Sequence, residues 1–136
     1  MSQLQSRSFD LAMLGLRVGL GCFFLRPGWA KVTAVSGVIG LWQRLHLPLP
    51  AVFGPIHAVV EFGGAILLFP GLLTRWIGLL LSVDMAGALL LVKLQRPPFF
   101  GQEWLALWVG LALLAVGAGA FSVDALLRQR RARGSG

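Results

Sequence analysis

Four ionisable side chains interrupt long apolar runs in this chain: Arg17, Lys31, Glu61 and Asp84. A charge in hydrocarbon costs roughly 2.5–3.5 kcal/mol on insertion scales, so such groups mark the places where chemistry is worth looking for. Glu61 stands out, because it sits in the middle of an apolar run and is followed by Phe62-Gly63-Gly64. The glycines allow a neighbouring helix or a ligand to approach the backbone closely. A carboxylate at that depth must be protonated or paired. Arg17 is one candidate partner. On a straight helix Lys31 lies about 21 Å further along, which suits an ammonium snorkelling at the outer interface. Asp84 is nine residues from Arg75 and off its helical face, so it requires Arg17, Lys31, a water or a partner subunit. His57 is four residues before Glu61 and shares its face. These charges could form a structural pair, Arg17–Glu61 or Lys31–Glu61, that fixes helix register, a ligand pocket, or a proton or ion path.

The elements that must position these groups are helices in a membrane. The chain has 136 residues, 12% of them charged, and a mean hydropathy of +0.79. A soluble domain carries about 25% charged residues, so the composition cannot cover a water-facing surface. Spanning the hydrocarbon takes about 20 apolar residues. Four segments meet or approach that length: Leu11 to about Val32, Ala51 to Phe69, Trp76 to Val92, and Trp104 to about Ala120. None shows the period-two alternation of a barrel strand. The expected fold is an all-α, integral membrane four-helix bundle. Residues 11–121 would form the domain, between an N-terminal tail (1–10) and a basic tail (122–136). Pro27-Gly28 should kink or break the first segment. Pro70-Gly71 closes the second, and the tight turn to Arg75 makes segments two and three antiparallel neighbours. The other connections are Thr33–Pro50 and Gln95–Gln102, the latter holding Pro97 and Pro98. Ser122 suits the N-cap of a short closing helix, with Asp124 favouring its positive end.

The net charge of +7 does not point to nucleic acid. Arg128, Arg130, Arg131 and Arg133 lie in the last nine residues, and without them eight basic residues face five acidic ones. A basic tail beside an apolar helix fits a membrane surface, with anionic lipid as partner. Trp29, Trp42, Trp76, Trp104 and Trp108 fall near helix ends, where indole rings anchor at the interface. Arg7, Arg75 and the four tail arginines belong to one side of a four-span topology, against Lys31, Arg44, Lys93 and Arg96 on the other. The bias favours cytoplasmic N- and C-termini.

Several chemistries have no support. Cys22 alone makes neither a disulfide nor a redox pair, and it reads as a small buried hydrophobe. No small-residue cleavage site follows the first segment, so a cleaved signal peptide is not expected. His46 and His57 give no metal signature, and no phosphate-binding loop or nucleophile elbow is present. Gly15-Leu-Arg-Val-Gly19 is a small-residue stripe of the kind that packs helices closely.

The order Arg17, Gly28-Trp-Ala-Lys31, Glu61-Phe-Gly63-Gly64, Pro70-Gly71-Leu-Leu-Thr74-Arg75, Glu103 and Phe121-Ser122-Val-Asp124 resembles the DoxX family over about residues 11–127. Arg26 and Asp84 are departures from its pattern. The resemblance implies a four-helix protein of the bacterial inner membrane, with Arg17, Lys31, Glu61, Gly63 and Gly64 as the positions that matter. It also implies an association with quinone-linked respiratory or redox complexes. Three functions follow as expectations. The first is an accessory subunit whose Arg17 and Glu61 line a quinone pocket, electrons coming from a partner or the quinone itself. The second is a non-catalytic scaffold or assembly factor docked to other subunits or to its own copies. The third is a transporter that surrounds a path as an oligomer. Independent catalysis is not expected.

Overall fold

The computed structural model describes residues 3–93 and 101–134. Six helices follow in order: α1 (Gln3–Thr33), α2 (Val35–Arg44), α3 (Pro50–Leu68), α4 (Thr74–Ala88, continued by a π-helical turn, Leu89–Lys93), α5 (Gln102–Val116) and α6 (Val123–Gly134). There is no strand among the described residues. The Gln95–Gln102 connection, with Arg96, Pro97 and Pro98, lies outside the described residues from 94 to 100.

α1 packs along α3 and α4 along α5, and the short α3–α4 turn joins the two pairs. Glycines set the spacing. A Cβ on Gly28 would lie 2.9 Å from the Phe62 Cα, so α1 and α3 touch backbone to backbone there. A Cβ on Gly78 would lie 2.7 Å from the Gly110 carbonyl oxygen, which does the same for α4 and α5. The core between the pairs is built from Phe24, Leu68, Leu81, Met85 and Leu113. Outside it, Leu11, Val59, Val83, Leu105 and Trp108 point away from the bundle. Apolar side chains facing outward on every helix suit a hydrocarbon solvent and would be unfavourable in water.

Among the described residues three helices are long and apolar enough to cross a membrane: Leu4–Thr33, Pro50–Leu68 and Thr74–Val92. α5 is apolar but has 15 residues, about 22 Å of helix. It ends at Val116, four positions short of the expected Ala120, because Gly117 (φ +91°) and Gly119 (φ +75°) leave helical backbone. α1 begins at Gln3 and passes through Pro27 without breaking. α2 replaces part of the expected loop, and at 10 residues it is too short to register as a span. The Gly15–Gly19 stripe does not pack inside the bundle, since a Cβ on either glycine would meet nothing within 4 Å. Cys22 is exposed rather than buried.

The start of α1 and α6 lie at one end of the bundle, because α1, α3, α4 and α5 alternate in direction and α6 follows from the end of α5. Arg17 locks this end together. It is 1% exposed, and its guanidinium donates to the carbonyls of Ala118 (2.6 Å), Phe121 (2.8 Å) and Phe69 (3.4 Å). Ser122 caps α6, its Oγ accepting from Ala125 N at 3.2 Å. Asp124 reaches back to α4, where its carboxylate accepts from Leu73 N (2.8 Å) and Thr74 N (2.9 Å).

Candidate functional site

Four polar side chains from three helices meet at the opposite end. Lys31, in the last turn of α1, donates to Glu61 on α3. Its Nζ also lies 3.1 Å from His57 Nε2, one turn before Glu61. His57 Nδ1 lies 3.0 Å from Asp84 Oδ1 on α4. One tautomer satisfies both histidine contacts: Nε2 accepts from the ammonium, and Nδ1–H donates to Asp84. The result is a chain, Glu61–Lys31–His57–Asp84, across α3, α1, α3 and α4. In that tautomer two carboxylates face one ammonium, so an ionised cluster carries a formal charge of −1.

Two polar positions remain open in this chain. Asp84 Oδ2 is buried and has no hydrogen-bond partner among the described residues. An ammonium has three N–H donors, and Lys31 uses two of them on Glu61 and His57. The cluster therefore holds one unused acceptor and one unused donor, joined through His57.

Lys31 and Asp84 both line a cleft of about 540 Å³. Lys31, His57, Glu61 and Asp84 form its polar floor, and the walls are apolar, among them Leu41, Trp42 and Phe53. α2 supplies one wall because it folds against the start of α3, where Ile39 packs on Gly54 and Trp42 stacks on Phe53 at 6.0 Å. An apolar cleft with a few convergent polar groups has the character of a small-molecule site.

The site selects between the two expected partners of Glu61 and gives Asp84 a new one. Arg17 does not pair with Glu61; it is held by backbone carbonyls at the other end of the bundle. Lys31, the other expected partner, makes the pair, and is drawn into the cluster rather than snorkelling freely. Asp84 meets His57, which was not among its expected partners. Gly64 packs against Ile77 of α4, while a Cβ on Gly63 would meet nothing within 4 Å. Neither glycine lines the cleft. Counting from the α3–α4 turn would have revealed the His57–Asp84 contact. His57 lies 12 residues before Phe69 and Asp84 lies 11 after Leu73, which places them level on antiparallel neighbours.

His57, Glu61 and Asp84 also offer three ligand atoms within 4.8 Å of one another. One imidazole and two carboxylates suit a divalent transition metal. Here the Lys31 ammonium already occupies the cation position beside Glu61 and His57.

A family model described as DoxX matches residues 12–94. The chain is similar to the Bacillus subtilis protein named "Putative oxidoreductase CatD", at 29% identity over 96% of this chain and 97% of that one. It is 28% identical to the Escherichia coli inner membrane protein YqjF, over 89% of this chain and 95% of YqjF. It is 32% identical to the Mycobacterium tuberculosis membrane protein Rv3486, over 88% of this chain and 83% of that one. No solved structure matches the chain.

Proposed function

This chain belongs to the DoxX family of membrane proteins, and from that premise we propose that it is an accessory subunit of a redox or respiratory complex that holds a quinone or related lipophilic phenol in its cleft. The observation that carries the reading is an apolar cleft lined by Lys31, with one N–H donor uncommitted, and by Asp84, whose buried Oδ2 has no hydrogen-bond partner among the described residues. A quinone carbonyl accepts from the ammonium. A quinol or phenol hydroxyl donates to the carboxylate. His57 lies between the two and can pass a proton from one to the other. Electrons are exchanged with a partner enzyme, and this chain's residues bind, orient and handle protons. The name of the Bacillus subtilis relative, an oxidoreductase, supports a redox link in general terms.

The proposed setting is the bacterial inner membrane, where YqjF resides by its name. The end that carries the start of α1 and α6 faces the cytoplasm, because Arg7, Arg75 and the α6 arginines gather there. The cleft then opens toward the other side.

The test is titration of the detergent-purified protein with short-chain ubiquinone and menaquinone analogues. Trp42 in the cleft wall reports binding by fluorescence quenching. Asp84→Asn or Lys31→Met should weaken binding about tenfold, the worth of roughly 1.4 kcal/mol. A protein that neither binds a quinone nor carries one through purification ends this reading. The outward Gly15 and Gly19 favour a second reading, a scaffold that docks another helix. It predicts a stable partner complex and indifference to Glu61→Gln.

A further inference from the structure

At the end remote from the cleft, a second depression of about 260 Å³ lies between α4 and α6. Arg75, Arg128 and Arg131 border it, with Trp76, Leu73 and Leu127 beside them. We propose that this depression binds the phosphate headgroup of an anionic phospholipid, with Trp76 and the leucines against the start of its acyl chains.

The charge is concentrated by the fold and does not follow from the tail's composition alone. Asp124, Leu127, Arg128 and Arg131 follow the i, i+3, i+4, i+7 spacing of one helical face, and that face is turned toward α4. The direction of the face is fixed at its root. Asp124 is tied to Leu73 N and Thr74 N, and Val123 N and Asp124 N donate to the Pro70 and Gly71 carbonyls. Both Asp124 oxygens are thereby engaged with the start of α4. Among the described residues none of the three arginines makes an ion pair. Arg75 lies across Gly117, where a Cβ would sit 3.2 Å from its Nε, and one Nη2 is directed at the Ala115 and Val116 carbonyls at 3.3 and 3.5 Å. Three guanidiniums with forked donors, beside one carboxylate whose oxygens are both taken by backbone N–H groups, suit a phosphate.

The position selects a lipid as the source of that phosphate. The depression opens where α3 ends and α4 begins, at the edge of two membrane-spanning helices. Trp76, 66% exposed, stands at its rim as an interfacial anchor. A basic pocket at a span's end, floored by apolar side chains, matches a headgroup and glycerol better than a soluble anion.

The experiment compares two double variants of equal charge. Arg128→Gln with Arg131→Gln removes the pocket arginines. Arg130→Gln with Arg133→Gln removes two from the opposite side of the same helix. Each protein, and the wild type, is titrated in mixed detergent micelles with phosphatidylglycerol, cardiolipin or phosphatidylcholine, and native mass spectrometry counts retained lipid. Inorganic phosphate is the separate competitor. The expected result is selective retention of the anionic lipids. The pocket pair should weaken it roughly tenfold or more, and the opposite pair less than about twofold. Equal losses in both pairs would mean a diffuse basic surface and overturn the site. Displacement of the lipid by millimolar inorganic phosphate would overturn the lipid assignment.

Discussion

Arg17 Nη1 donates to the carbonyl oxygen of Ala118 at 2.6 Å, across a sequence separation of 101 residues. The guanidinium joins the middle of α1 to the connection between α5 and α6, and it also reaches Phe69 and Phe121. Its role is to satisfy backbone that leaves helical geometry inside the packed end of the bundle, where each unpaired buried carbonyl is costly. Arg17→Met should destabilise the protein by about 3 kcal/mol or more, since several buried acceptors lose their donor together. Thermal unfolding in detergent measures this. Ligand affinity at the cleft should stay unchanged in the protein that remains folded, because Arg17 is not part of it.

Gly71 makes the same lock possible. Its φ is +71°, and a Cβ there would fall 2.5 Å from Arg17 Nη1 and 2.7 Å from Ser122 Cβ. Gly71→Ala therefore combines left-handed backbone strain of about 1 kcal/mol with a displaced guanidinium. Its cost should overlap with that of Arg17→Met. The double variant should lose clearly less stability than the sum of the two single ones.

Lys31 is the cation of the polar cluster, so its removal exposes the metal-like donor set around it. Lys31→Met should leave His57, Glu61 and Asp84 able to bind Zn²⁺ or Mn²⁺, which the wild type binds more weakly. Isothermal titration with each ion reads the difference. Equal affinities in the two proteins would show that the ammonium does not control the site.

Glu61→Gln separates a binding subunit from a scaffold. The amide keeps the shape of the side chain and removes the charge that anchors Lys31. Quinone affinity should fall several-fold through loss of Lys31 orientation, while expression level and partner co-purification stay near wild type. An intact quinone affinity in this variant would contradict the role assigned to the Glu61–Lys31 pair.

The sequence by itself determined the solvent and the apolar segments that become α1, α3, α4 and α5. Sparse charge and long apolar runs leave no alternative to a membrane, and Pro70-Gly71 with the tight turn after it sets α3 and α4 antiparallel. It also marked Lys31, Glu61 and Asp84 as misplaced charges, because their cost in hydrocarbon depends on residue type and depth alone. The tertiary structure decided who pairs with whom. Arg17 and Lys31 lie on one helix and carry the same charge, and nothing local distinguishes them as partners for Glu61. Arg17's actual acceptors are backbone carbonyls, which have no side-chain signature, and they are presented only because α5 ends early at Gly117. The cleft was equally hidden. Its wall, α2, is too short to stand out by hydropathy, and it gains a defined position only by packing against α3.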